Sequence, residues 1–180
     1  MNIALDHWHI EVSSICTLKC PRCTRAEVPE TLLNRSLDLK FFQEQIGQTR
    51  ISQIKKISFC GDDGDPIYAK QFLEIVTWIK NINPSIQLLI ITNGSYKTEA
   101  WWKSLADILN KHDEIHWSLD GWDQESNSKY RVNCDWASII TGLSTFVKHN
   151  QETYTVIATI AFIFNESGLN SIQNIAKAYS

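Results

Sequence analysis

Three cysteines that stand close together are the residues with the clearest capacity for chemistry. Cys16, Cys20 and Cys23 form a Cys-x3-Cys-x2-Cys pattern. Cysteine thiolates are the usual ligands of iron–sulfur clusters, and a [4Fe–4S] cluster normally takes four of them. Three cysteines on one loop would hold three irons and leave the fourth iron with an open position for a substrate or cofactor. A structural or zinc site, with Cys60 or Cys134 as the fourth ligand, is the alternative interpretation.

A glycine- and aspartate-rich segment from Gly61 to Pro66 is a second candidate for ligand binding. Glycine lets the backbone approach a ligand closely. Backbone carbonyls and a carboxylate can accept hydrogen bonds from an ammonium group. The same composition is typical of an acidic surface turn. Thr92-Asn93-Gly94 and Asp120-Gly121 also have the composition of turns that end strands.

The elements that must position these residues can be predicted from apolar patterns. We expect strands at 9–15, 57–60, 87–92, 114–119 and 154–164. Helix-period patterns between them cover 72–79, 102–109 and 136–147, with a weaker helix at 38–47 and a last helix from Asn170 to Tyr179. Asp135 is placed to cap the helix that starts at Trp136.

Alternating strands and helices predict an α/β fold, with a parallel sheet joined by right-handed crossovers. Ligands of such sheets collect at the carboxyl ends of the strands. The cysteine loop, Gly61–Pro66, Thr92–Gly94 and Ser118–Gly121 each follow or end a predicted strand. We therefore expect these four segments to converge on one edge of the sheet.

The cysteine pattern after a first β-strand resembles the signature of the radical S-adenosylmethionine (SAM) superfamily. The resemblance implies a partial (β/α) barrel with parallel strands, of which about five of the usual six β/α units are visible. Residues 1–180 would form the core domain, without the last unit or a C-terminal auxiliary domain. Cys16, Cys20 and Cys23 would hold a [4Fe–4S] cluster, and SAM would bind to it.

The activity implied by the resemblance is reductive cleavage of SAM to methionine and a 5′-deoxyadenosyl radical, which abstracts hydrogen from a substrate. An external electron donor of the flavodoxin or ferredoxin type is implied as a partner. The resemblance assigns no residue of this chain to catalysis on the substrate itself. Substrate-facing parts of such enzymes usually lie in C-terminal elements.

Later segments are similar to the family's SAM-contacting segments. Phe59 to Pro66 resembles the Gly-Gly-Glu-Pro-type segment that holds the SAM amino group, with Asp65 where glutamate is common. Thr92-Asn93-Gly94 resembles a segment near the ribose. Ser118-Leu119-Asp120-Gly121 resembles the Ser-Ile-Asp-Gly segment of the branch with molybdenum-cofactor enzymes and peptide and protein maturases that carry twitch or SPASM extensions. The residues assigned to SAM in this way are Gly61, Asp63, Gly64, Asp65, Thr92, Asn93, Ser118, Asp120, Arg131 and Asn165.

Arg131 and Asn165 are assigned to the two ends of SAM, and Arg22 departs from the family pattern. Arg131 follows Ser118 by about a dozen residues, and its guanidinium fork suits the SAM carboxylate. A surface arginine near a helix start is the alternative. Asn165 is assigned to the adenine side. Arg22 departs from the family pattern, because an aromatic residue that packs near the adenine is common before the last cysteine.

The composition indicates which kinds of partner and which cellular compartment to expect. The net charge of −3 gives no electrostatic reason to expect nucleic acid or an anionic membrane as a partner. No segment reaches the ~20 apolar residues needed to span a bilayer. The chain has five cysteines, an odd number, and three of them are clustered, which fits a reducing compartment better than a disulfide framework. We therefore expect a cytoplasmic protein.

The sequence leaves three functions open. The first is a radical SAM enzyme, and the resemblance of Ser118–Gly121 to the maturase branch implies a peptide or protein substrate for it. Glycyl-radical activases and deazapurine-forming enzymes share the cysteine spacing and stay open as enzyme classes. The second function is a non-catalytic iron–sulfur or zinc-binding module. The third is a SAM-binding protein with a degenerate barrel that does not turn SAM over.

Overall fold

One sheet of five parallel strands forms the centre of the molecule. The structure is a computed structural model, and it describes residues 6–179. The strands are β1 His7–His9, β2 Lys56–Phe59, β3 Gln87–Thr92, β4 Glu114–Ser118 and β5 Tyr154–Ala158. Their spatial order is the chain order, and every neighbouring pair is parallel. β1 and β5 do not pair within the described residues, so the sheet is open. The predicted α/β fold with five β/α units is confirmed.

Helices connect the strands. They are α1 Thr24–Glu27, α2 Leu39–Phe41, α3 Gln48–Gln53, α4 Phe72–Ile82, α5 Glu99–Ile108, α6 Gln124–Ser128, α7 Trp136–His149 and α8 Leu169–Ala178. A π-helical turn spans Phe42–Ile46, and 3₁₀ turns span Pro29–Thr31, Pro66–Tyr68 and Glu166–Gly168. None of the helices in the described part of the chain is long and apolar enough to cross a membrane.

The core lies between the sheet and the helices that cover it, chiefly α4, α5 and α7. Phe59 on β2 packs edge-on against Phe72 on α4, with ring centroids 5.3 Å apart. Trp117 on β4 packs against Trp102 on α5 at 4.4 Å. Because side chains alternate between the two faces of a strand, the intervening residues lie on the opposite face. This inner face carries His9, Ser58, Leu89, Ile91, His116 and Ser118.

The first predicted strand, 9–15, is wrong in its bounds. The sheet pairing of β1 ends at His9, although Ile10 N still donates to the carbonyl of Ser58 at 2.9 Å. The following residues bond with a loop, since Leu37 N donates to the carbonyl of Val12 at 2.9 Å. The apolar alternation of this segment therefore reflects burial against a loop and not a longer strand.

The last predicted strand, 154–164, is also too long. β5 ends at Ala158 because side chains satisfy the backbone beyond it. Ile160 N donates to a carboxylate oxygen of Asp120 at 2.7 Å, and Phe162 N donates to Oδ1 of Asn165 at 2.8 Å. An apolar run alone does not show that its N–H groups have found such partners.

The predicted helices agree better with the structure. α4, α5, α7 and α8 occupy the expected segments, and the side chain of Asp135 caps α7 by accepting from Ser138 N at 3.2 Å. The weak helix predicted at 38–47 is short α2 followed by the π-helical turn.

Candidate functional site

The cysteine loop is a compact turn that leads into a short helix. Cys23 N donates to the carbonyl of Cys20 at 3.1 Å, and Cys23 precedes α1 as its N-terminal cap residue. Cys20 is buried, Cys16 and Cys23 are partly buried, and all three thiols are free. Thiols carried by one turn in this way can bind the same metal centre.

The segment that follows β4 holds one side of the cysteine loop. Lys19 N donates to the carbonyl of Val132 at 2.9 Å. The side-chain amide of Asn133 donates to the carbonyl of Thr17 at 2.8 Å. The cysteine loop is therefore anchored to the residues next to Arg131.

The segment Gly61–Pro66 holds the other side of the loop. Asp65 N donates to the carbonyl of Ile15 at 3.0 Å. A Cβ atom at Gly64 would overlap the carbonyl of Ser13, so only glycine allows this approach. The two backbones are in direct contact.

Arg25 joins the same two segments. Its Nη1 donates to the carbonyl of Ser14 and, at 2.6 Å, to the carbonyl of Asp63. No sequence pattern marks Arg25 for this role, because a surface arginine after a cysteine loop has no distinctive spacing.

Asp65, Thr92 and Asn93 form a buried hydrogen-bonded group. The Asp65 carboxylate accepts from the hydroxyl of Thr92 at 2.9 Å. It also accepts from the backbone N of Asn93 at 2.7 Å and from its side-chain amide at 2.6 Å. Burial raises the pKa of Asp65 to about 6, although these hydrogen bonds act to lower it. The carboxylate thus ties the Gly61–Pro66 segment to the end of β3.

The same asparagine reaches the cysteine loop. Asn93 Nδ2 lies 3.6 Å from Sγ of Cys16, and Leu18 N donates to that sulfur at 3.4 Å. Burial, with a further contribution from the Asp65 charge, raises the pKa of the Cys16 thiol to about 12. A metal would have to displace this proton on binding.

Asp120 and Arg131 form an ion pair beside Cys20. Arg131 Nε donates to Asp120 at 2.6 Å, and the Asp120 side chain is fully buried. The second carboxylate oxygen of Asp120 accepts from Ile160 N at 2.7 Å. Burial raises the pKa of the Cys20 thiol, while the Arg131 charge lowers it. The guanidinium is therefore held between a buried carboxylate and the cysteine loop.

Asn165 is buried and bonded to the backbone, whereas Ser118 is partly buried at the end of β4. Asn165 is fully buried, and its amide donates to the carbonyls of Asp120 and Ile160, each at 2.9 Å. Its oxygen accepts from Phe162 N, so the side chain closes the turn after β5. Ser118 ends β4 on the inner face and is partly buried.

Two residues near the site have an unusual backbone conformation. Tyr96 has a φ of 63° and Asn133 a φ of 68°, both in the left-handed region. The Tyr96 hydroxyl donates to the carbonyl of Asn133 at 2.9 Å. Tyr68 adds a further link, because its hydroxyl donates to the carbonyl of Ser95 at 2.7 Å and contacts the hydroxyl of Thr17 at 2.7 Å. Sequence patterns gave no signal for these links, since they depend on tertiary contacts.

The donor set fits a [4Fe–4S] cluster. Three free thiols lie on one turn, N–H groups point at the sulfur of Cys16, and a guanidinium lies beside Cys20. Hydrogen bonds to sulfur and a nearby cation are the protein groups that tune such clusters. The other two cysteines have different neighbours. Cys60 contacts His9, and Cys134 lies among Asn127, Ser128 and Gln124.

The structure has similarities to several solved proteins. SuiB of Streptococcus suis, solved bound to S-adenosylmethionine, superposes with a TM-score of 0.73 at 16% identity, over 97% of this chain and 36% of SuiB. Native anSMEcpe with bound AdoMet and Cp18Cys peptide superposes with a TM-score of 0.70 at 17% identity, over 96% of this chain and 47% of that one. BtrN in complex with AdoMet and 2-DOIA has a TM-score of 0.58 at 18% identity, over 87% of this chain and 58% of BtrN.

These similarities show the fold, and the chain spans about a third to three fifths of the length of these proteins. No curated protein matches the sequence of this chain. The family model described as the radical SAM superfamily does match, over residues 10–174. The match includes the cysteine loop and every strand after the first. The chain belongs to the radical SAM superfamily.

Proposed function

We propose that this chain is the catalytic core of a radical SAM enzyme. Its cofactors are those of the family, a [4Fe–4S] cluster and SAM, and we assign the cluster to Cys16, Cys20 and Cys23. The observation that carries the proposal is the set of contacts around the cysteine loop. Asn93 at the end of β3 contacts Cys16, and Arg131, which follows β4, lies beside Cys20. A plain metal-binding module does not need these groups around its thiols.

SAM would bind next to the cluster, along the carboxyl ends of the strands. We assign the SAM amino group to the backbone of Gly61, Asp63 and Gly64, a segment that contacts Ser13 and Arg25 on either side of the cysteine loop. We assign the carboxylate of SAM to the guanidinium of Arg131. Ser118, which ends β4 on the inner face, is assigned to a contact with SAM.

The remaining residues of the predicted SAM site are assigned positioning roles. The side chains of Asp65, Thr92 and Asn93 bond mainly to one another, which fixes the end of β3 against the Gly61–Pro66 segment. Asp120 holds Arg131. Asn165 holds the backbone after β5, on the side assigned to adenine.

With both cofactors bound, the chemistry supplied is reductive cleavage of SAM to methionine and a 5′-deoxyadenosyl radical that abstracts hydrogen from the substrate. The chain's own residues bind and orient SAM and exclude water from it. A one-electron donor of the flavodoxin or ferredoxin type is the proposed partner for the reduction. We also propose a cytoplasmic location, because free thiols and an oxygen-sensitive cluster both require reducing conditions.

We propose a peptide or protein as the substrate. The support is structural similarity to SuiB, which was solved bound to precursor peptide SuiA, and to anSMEcpe, which was solved with a Cp18Cys peptide. Peptides deuterated at their carbon positions test this. Deuterium should appear in the 5′-deoxyadenosine that forms, and its absence with every peptide tried, while small-molecule substrates transfer deuterium, would contradict the assignment.

We propose that residues 1–180 act as one radical SAM core domain with five of the family's six β/α units. β5 is the strand at which a further unit would pair, since its partner within the described residues is β4 alone. Exposed apolar side chains on and after this strand support the assignment, because Tyr154 is 67% exposed and Ile163 is 96% exposed.

The test is the formation of 5′-deoxyadenosine from SAM by anaerobically reconstituted and reduced protein. We expect product with the wild-type protein and with Cys134→Ser, whose cysteine lies outside the loop. Cys16→Ala, Cys20→Ala and Cys23→Ala should each abolish it. A bound cluster without product, together with tight SAM binding, would favour the SAM-binding protein without turnover. Zinc in the loop in place of iron would favour the metal-binding module.

A further inference from the structure

A ladder of polar contacts crosses from β1 to β2 and continues beyond the sheet. Its first two rungs are side-chain pairs, His7 with Ser58 and His9 with Cys60. In the third rung, the backbone N of Asp62 donates to the side chain of Glu11. The first rung is a hydrogen bond of 2.9 Å between His7 Nε2 and Ser58 Oγ. The second and third rungs lie just past the ends of the two strands. They bring together a histidine, a cysteine, a glutamate and an aspartate, all of which are residue types that bind metals.

The donor atoms of the two upper rungs are close to one another. Ligand atoms of His9, Glu11 and Asp62 all lie within 4.8 Å of one another. Cys60 Sγ lies 2.8 Å from Nε2 of His9, and that nitrogen lies 3.6 Å from Oε1 of Glu11. Cys60 contacts His9 but is not in the group within 4.8 Å, so it joins the other three side chains around one cation only after its side chain turns toward the carboxylates. His9 is exposed and Cys60 is only partly buried, which leaves room for this rotation.

The group has more hydrogen-bond acceptors than donors. A neutral imidazole offers a single N–H, while Glu11 and Asp62 offer only acceptor oxygens when ionised. Asp62 N donates to Oε1 of Glu11 at 2.8 Å. The second oxygen of Glu11, Oε2, is buried and accepts no well-formed hydrogen bond among the described residues, although the backbone N–H of Asp63 also interacts with this carboxylate. A buried carboxylate oxygen without a well-formed hydrogen bond is costly, and a bound cation would remove that cost.

We propose that His9, Glu11, Cys60 and Asp62 form a binding site for Zn²⁺. Zinc accepts imidazole nitrogen, thiolate sulfur and carboxylate oxygen, and it takes four ligands in structural sites. Calcium and magnesium prefer oxygen ligands alone, so the histidine and the cysteine favour zinc over both. This site shares no residue with the three-cysteine loop, although both follow β1.

A metal at this position would crosslink the ends of β1 and β2. Cys60 and Asp62 flank Gly61, the first residue of the segment that packs against the residues on either side of the cysteine loop. The metal would therefore fix the conformation of that segment from the β2 side. Zinc binding should raise the melting temperature of the protein, because the site is assembled only in the folded state.

The experiment uses cluster-loaded protein, so that the loop cysteines are occupied when zinc is added. After dialysis against micromolar zinc, elemental analysis should give about one zinc per chain. His9→Ala and Cys60→Ser should each weaken zinc binding by about tenfold or more. His7→Ala is the matched control, since it removes the histidine of the adjacent rung and should leave zinc binding unchanged.

X-ray absorption at the zinc edge of the wild-type protein does not depend on any variant folding. The proposal predicts one sulfur at about 2.3 Å and nitrogen or oxygen ligands at about 2.0–2.2 Å. Three sulfur ligands would mean that zinc occupies the cysteine loop, and this would overturn the proposal. So would zinc contents near zero, or contents that His9→Ala and Cys60→Ser leave unchanged.

Discussion

At the scale of single residues, Arg131 is the side chain on which SAM binding should depend most. Its Nε is committed to Asp120 at 2.6 Å, which orients the plane of the guanidinium beside Cys20. The buried carboxylate of Asp120 needs this cation, because an unpaired buried charge is strongly destabilising. One arginine therefore serves both the stability of the strand end and the proposed recognition of a carboxylate.

Arg131→Lys should keep the positive charge but lose the planar fork that binds a carboxylate with two hydrogen bonds. We expect the dissociation constant of SAM to rise by about tenfold, with the far-ultraviolet circular dichroism unchanged. Equilibrium dialysis of cluster-loaded protein measures this. Arg22→Lys, an exposed arginine in the cysteine loop, is the matched control and should bind SAM as the wild type does. Unchanged SAM affinity in Arg131→Lys would refute the assignment.

The buried carboxylate of Asp65 predicts a pH dependence of stability. Its pKa is raised from 3.8 to about 6 by burial, so between these pH values the folded protein binds its proton more tightly than the unfolded chain does. The contribution of Asp65 to stability is therefore complete below about pH 4 and is lost as the pH rises through about 6.

The measurement compares the free energies of unfolding of metal-free, reduced wild-type protein and Asp65→Asn across this pH range. The amide of the variant cannot titrate, so the difference between the two proteins isolates this carboxyl. We expect the stability of the wild type relative to Asp65→Asn to fall as the pH rises from about 4 to about 6.5. A difference that stays constant, or that grows with pH, would contradict the raised pKa.

At the scale of elements, close packing of α7 against α5 holds the sheet's outer layer together. Gly142 on α7 faces the indole of Trp102 on α5, and a Cβ atom at that position would overlap the ring. Trp102 is fully buried between α7 and Trp117 of β4. The glycine is therefore needed for the approach of the two helices and not for backbone freedom.

Gly142→Ala should destabilise the protein by about 1–3 kcal/mol, because overpacking outweighs the better helix propensity of alanine. Urea unfolding measures the effect. Ser144→Ala on the exposed side of the same helix is the control and should change stability by no more than about 0.5 kcal/mol. If Gly142→Ala left the stability unchanged or raised it, the packing of Trp102 against α7 would be wrong.

The sequence predicts the bounds of some elements better than those of others. α7 is predictable because its apolar period and the cap at Asp135 are both local signals. β1 and β5 are not, because their ends depend on which distant group meets each backbone N–H. The side chain of Asp120 ends the strand-like run after β5 by accepting from Ile160 N, and the two residues are 40 positions apart.

At the scale of the whole molecule, parallel topology is what brings the candidate site together. Strand–helix alternation predicts that the segments after β1, β2, β3 and β4 share one edge, and their contacts in the structure agree. The sequence does not predict which side chains bind a ligand and which bind each other. Asp65 and Asn165 carry polar groups suited to SAM, yet their hydrogen bonds are made within the protein.

The most direct test of the central assignment is electron paramagnetic resonance of the reduced, reconstituted protein with and without SAM. We expect an iron content of about four per chain. We also expect the spectrum to change when SAM is added, because the three loop cysteines leave one iron open. Cys134→Ser should behave in the same way, and Cys20→Ala should lose the iron. A protein that binds no iron, or a cluster spectrum that SAM leaves unchanged, would contradict the account.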